Sequence, residues 1–82
     1  MKIGENVYIS DNVEIKRQHL CEIGNNVAID SGFYCTTALV VGNYVHISPH
    51  VTCIGGKDGK FILKGFNNLM SGSRIICASD RF

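Results

Sequence analysis

Aliphatic residues recur at a strict interval of six, and few chains with that property have any choice of fold. Ile3, Ile9 and Ile15 open the series. It resumes at Ile23, Ile29, Cys35, Val41, Ile47 and Cys53, and again at Leu63, Leu69 and Ile75. A second inward set lies four residues after most of these leads: Val7, Val13, Val27, Phe33, Leu39, Val45 and Val51. Neither a helical period of 3.6 nor plain strand alternation produces this pattern. Fixed-period self-similarity marks a repeat architecture in which each unit buries its apolar face only against its neighbours.

Six residues make one short strand and one corner, so three units close a triangular coil of eighteen. Wrapped this way, the chain forms three columns. Ile3, Ile23, Val41 and Leu63 stack in one, and Ile9, Ile29, Ile47 and Leu69 in the next. Ile15, Cys35, Cys53 and Ile75 make the third. Every column is aliphatic or Cys. Asn67 takes an inward slot in the fourth coil, where a buried amide needs hydrogen-bond partners.

Two interruptions fit the same scheme. Ile15 to Ile23 carries two extra residues and Cys53 to Leu63 four. Loops bulging outward near 16–22 and 55–60 leave the register intact. The expectation is one all-β domain over residues 1–82, a parallel β-helix of about four coils.

Composition agrees. Ile and Val total 17 of the 82 residues against 7 for Leu and Ala together, which favours strands over helices. Nine Gly and seven Asn supply the tight turns. With 8 Lys+Arg against 7 Asp+Glu, no basic stripe points to nucleic acid. No apolar run is long enough for a membrane span. The first residues lack the apolar core of a secretory signal, so a cytoplasmic location is expected.

The segments Ile3-Gly4-Glu5-Asn6-Val7-Tyr8 and Ile23-Gly24-Asn25-Asn26-Val27-Ala28 resemble the repeat unit of hexapeptide-repeat acyltransferases. The resemblance implies a left-handed coil, a homotrimer with clefts between subunits, and acetyl-CoA or another acyl-CoA as donor. A narrower likeness runs through Val45-His46-Ile47-Ser48-Pro49-His50-Val51, Gly55-Gly56 and the stretch from Leu69 to Asp80. It is similar to sugar acetyltransferases of polysaccharide assembly, which implies a sugar or nucleotide-sugar acceptor. In related maltose and galactoside acetyltransferases a Thr-His-Pro segment supplies a general base. Here Ser79-Asp80-Arg81 stands in its place, with Asp80 at the His position. The family's chains also continue for further coils that hold much of the CoA site.

The candidate catalytic residue is His46, placed outward near a corner and similar to a His of sugar N-acetyltransferases. An imidazole with an ordinary pKa of about 6.5 suits proton transfer near neutrality. The competing reading is a His that only packs and hydrogen-bonds. Ser79 and Asp80 are candidate acceptor-binding residues, or simply a polar corner. No residue is assigned to binding the donor. Three His, at 19, 46 and 50, raise the question of zinc, but their spacing matches no zinc pattern and no metal is expected.

Cys35 and Cys53 lie one coil apart and stack on one inward face, within disulfide range; reduced core thiols are expected. Cys21 and Cys77 follow no metal spacing. Tyr8, Tyr34 and Tyr44 have outward or corner phases, suited to subunit packing or to stacking on a sugar. Two functions compete: an acyl-CoA-dependent acetyltransferase, or its N-terminal part, and a non-catalytic β-helical assembly module lacking the CoA-binding coils. An ice-binding face would need regular Thr arrays, and Thr36, Thr37 and Thr52 form none.

Overall fold

Twelve short strands run in four successive triplets in the computed structural model, which describes residues 1–56, 58–69 and 72–77. The first coil holds β1 (Lys2–Ile3), β2 (Val7–Ile9) and β3 (Glu14–Ile15). The second holds β4 (Cys21–Ile23), β5 (Val27–Ile29) and β6 (Tyr34–Cys35). The third holds β7 (Ala38–Val41), β8 (Val45–Ile47) and β9 (Thr52–Gly55). The fourth holds β10 (Lys60–Leu63), β11 (Asn67–Leu69) and β12 (Arg74–Cys77). Each strand pairs in parallel with its counterparts in the coils above and below. Sheet A is β1-β4-β7-β10, sheet B is β2-β5-β8-β11 and sheet C is β3-β6-β9-β12. The chain is therefore a β-solenoid of about four triangular turns. Among the described residues no helix is long and apolar enough to cross a membrane.

The three columns read from the sequence are the registers observed. Ile3 pairs with Ile23, Ile23 with Val41, and Val41 with Leu63. Ile9, Ile29, Ile47 and Leu69 line up on sheet B, and Ile15, Cys35, Cys53 and Ile75 on sheet C. The core is continuous through the middle coils: Ile29, Leu39, Ile47, Val51, Cys35 and Cys53 are fully buried. Strand alternation explains the second inward set, because the residue two before each lead points to the same side. Asn67 pairs with Val45 in register, and its side chain lies outside the described residues.

Both insertions fall at the corner between sheets C and A. The first is shorter than the 16–22 span expected: a 3₁₀ turn over Gln18–Leu20 carries the extra residues, and strand β4 already resumes at Cys21. Cys21 is buried, and its Sγ donates to the Arg17 carbonyl at 3.2 Å. Arg17 Nε donates to the Thr36 carbonyl at 3.0 Å, tying the bulge to the next coil. Cys21 and Phe61 are register partners of Leu39 and fill the same inward slot.

The corner between sheets A and B needs a left-handed residue in every turn. Asn6, Asn26, Tyr44 and Phe66 occupy that position with φ between 57° and 59°. Asn accepts this conformation readily, whereas bulky aromatic residues are strained there. In the lower coils the Asn side chains add ties between turns. Glu5 N–H donates to Asn25 Oδ1 at 2.8 Å and Asn25 N–H to Asn43 Oδ1 at 2.7 Å. Asn6 Nδ2 donates to Asn26 Oδ1 at 2.6 Å. In the upper coils the rings of Tyr44 and Phe66 stack instead, centroids 5.2 Å apart.

Candidate functional site on the outer face of sheet B

His46 is the central residue of β8, flanked by buried Val45 and Ile47, so alternation turns its imidazole outward. Its outward direction agrees with the sequence reading. Its place does not: it stands mid-strand on a sheet face, not near a corner, because the turn residues of this coil are Tyr44 and His50. The register partner below is Ala28. That small residue leaves the imidazole room to lean toward the previous coil, where Asp30 follows the end of β5.

His46 Nε2 lies 2.7 Å from Asp30 Oδ2, with both side chains half-exposed. An ionised carboxylate only accepts hydrogen bonds. In this pair Nε2 therefore carries the proton and donates to Asp30, leaving the Nδ1 lone pair free to act as a base. His46, but not Asp30, lines a shallow trough on the outside of sheet B together with Tyr8, Ala28, Tyr44 and Asn68. Aromatic walls beside polar groups suit a ligand with both apolar ring faces and hydroxyls.

Other candidate residues lie elsewhere. Ser79 and Asp80 fall outside the described residues. His19 is on the 3₁₀ turn between sheets C and A, and His50 is at the corner between sheets B and C, so neither joins His46. Among the described residues no group of three or more His, Cys, Asp or Glu is arranged to hold a metal ion. Tyr8 and Tyr44 are exposed on or beside the trough, whereas Tyr34 is half-buried on sheet C.

Sequence reasoning missed Asp30. It follows a lead residue, a place read only as a small or polar turn position. The signal was available: His46 is one before its lead, Asp30 one after the lead beneath, and the register partner of His46 in the coil of Asp30 is the small Ala28.

All four cysteines carry free thiols. Cys35 and Cys53 face each other as register partners in β6 and β9. Cys35 Sγ also lies 3.3 Å from the Thr37 carbonyl. Burial pushes the Cys21 thiol above its ordinary range.

Comparison of the chain with protein-family models, with curated proteins and with solved structures gives no significant match in any of the three.

Proposed function

We propose that this chain is an acyl-CoA-dependent acetyltransferase, or the N-terminal part of one, acting on a hydroxyl or amine of a sugar or nucleotide-sugar. The observation that carries the reading is the His46–Asp30 pair at 2.7 Å on an open sheet face. In this mechanism His46 Nδ1 takes the proton from the acceptor hydroxyl or amine as it attacks the thioester carbonyl. Asp30 accepts from Nε2 and holds the ring in the required tautomer. The proton then passes to the departing thiolate. The repeat motif and the triangular coil support the same reading through their resemblance to hexapeptide-repeat acyltransferases. That resemblance brings with it a left-handed winding and a homotrimer; the cytoplasmic setting and the absence of a resident metal, expected from the N-terminus and the His spacing, are kept in the proposal. Ser79 and Asp80 remain candidate acceptor contacts in this proposal.

Calorimetric titration with acetyl-CoA, followed by chromatographic detection of free CoA in the presence of amino and neutral sugars, tests it. Binding of the donor, with transfer lost in His46→Asn but donor affinity retained, is the expected result. Failure to bind acetyl-CoA at millimolar concentration would overturn the reading of this chain as a transferase in its own right and favour the non-catalytic assembly module.

A further inference from the structure

The four cysteines are spread through the sequence, yet all lie on inner slots of sheet C or of the adjoining end of sheet A. Cys21 partners Leu39, Cys77 partners Gly55, and only Cys35 and Cys53 partner each other. Both are leads of the same column, fully buried, with their side chains on the inner face. Neighbouring parallel strands lie about 4.7–4.9 Å apart. Disulfides bridge Cα separations of about 4.4–6.8 Å, so this pair needs no change of register to join. Both residues are flanked by well-packed coils that hold the two sulfurs together.

We propose that Cys35 and Cys53 are a reversible redox pair, forming an internal disulfide that staples the second coil to the third. The oxidant is a small peroxide such as hydrogen peroxide. The Cys35 thiolate attacks one peroxide oxygen and the O–O bond breaks. Hydroxide leaves and takes up the thiol's proton as water, giving a sulfenic acid on Cys35. The Cys53 sulfur then attacks the Cys35 sulfur, the S–O bond breaks, and a second water leaves with the Cys53 proton. Two thiols and one peroxide become one disulfide and two waters. A dithiol reductant reverses the change by exchange.

The electrostatics suit these roles. A hydrogen bond from the Cys53 thiol favours the Cys35 thiolate and draws it down to about 7. The same bond, burial and the neighbouring Cys77 thiol push Cys53 upward, and the part due to the bond is released once Cys35 becomes a sulfenic acid. Peroxide attack requires the thiolate. Because both sulfurs are buried, oxidation passes through local opening of the upper coils, and the product is shielded from further reaction.

The test uses the variant Cys21→Ala/Cys77→Ser, which leaves only the pair, treated with hydrogen peroxide and then labelled with maleimide in denaturant. The expected result is a loss of about 2 Da, no maleimide uptake, and full recovery of both thiols with dithiothreitol. The oxidised form should also melt at a higher temperature than the reduced one. Should that variant not fold, oxidised wild-type chain is cut with chymotrypsin after Tyr34 and Tyr44, which separates Cys21, Cys35 and Cys53 onto different peptides. A cross-linked Cys35–Cys53 peptide pair supports the proposal. Two maleimides on the treated chain, or bridges joining other cysteines instead, overturn it.

Discussion

Gly24 and the Asn43 side chain compete for one space: a Cβ on Gly24 would lie 2.6 Å from Asn43 Oδ1 and 2.7 Å from the Gly42 carbonyl oxygen. The first neighbour is a side chain, the second is backbone of the coil above. Gly24→Ala is therefore expected to destabilise the fold by about 1–3 kcal/mol, as overpacking does. Asn43→Ala removes the hydrogen bond to Asn25 N–H and should cost about 0.5–1.5 kcal/mol. The double variant should recover little, since the Gly42 carbonyl stays in place. Urea denaturation of the three variants checks this, and full rescue in the double variant would refute the backbone assignment.

Leu39 lies at the centre of the solenoid, fully buried, whereas Ile62 points outward and is 53% exposed. Leu39→Ala should lose about 2–5 kcal/mol of stability through the cavity it leaves. Ile62→Ala should change the stability of an isolated subunit by no more than about 0.5 kcal/mol. Thermal unfolding at low protein concentration distinguishes the two.

Stability should fall above pH 9. The Cys21 thiol is raised above its ordinary 9.0 by burial, and Cys53 is raised by its bond to Cys35 and by burial. Between the ordinary value and the raised one, the unfolded chain has lost the proton that the folded chain keeps. The unfolded state then binds fewer protons, so stability declines as pH rises past 9. The contribution is fully present below that pH. Cys21→Val removes its share, and the melting temperature of that variant should fall less steeply as pH rises above 9.

Exposed apolar residues lie at both ends of the solenoid, Met1, Ile3, Tyr8 and Leu20 on the first coil and Tyr44, Ile62, Phe66 and Ile76 on the upper two. Phe66 is 83% exposed, Ile76 63% and Tyr44 56%. Light scattering is expected to give about three times the 9.0 kDa subunit mass. Phe66→Asn keeps a residue that tolerates the left-handed corner while removing the ring, and should shift the population toward monomer without unfolding it. A stable monomer in the unaltered chain contradicts the trimer.

Much of this fold was legible because inward slots in a narrow solenoid admit little besides aliphatic residues and Cys. Ile29 and Ile47 announce their column by identity and spacing alone. Cys21 and Phe61 were harder to find. Counting four forward from Ile15 or Cys53 runs into the inserted residues, whereas counting two back from Ile23 or Leu63 reaches them directly. The site was less legible than the core. His46 was found through a motif, but its partner depends on how a side chain leans across Ala28 from one coil to the next. No single-strand pattern encodes that. The strained corner was also hidden, since Tyr44 and Phe66 sit where glycine or asparagine would be the ordinary choice.

Length variation confined to the corner between sheets C and A gives the molecule one seam and two closed edges. Foreign segments grafted after Gly56, with Gly55 and Gly59 kept against Thr37, would leave the later columns in phase. One residue added at the Asn25 or Asn43 corner would do the opposite. Val45, Ile47 and every lead after them would rotate to the opposite face, and the charged and polar residues between them would turn into the core. A designer seeking to display a binding loop on this scaffold, or a genome lengthening it by chance, therefore has a single permissive address.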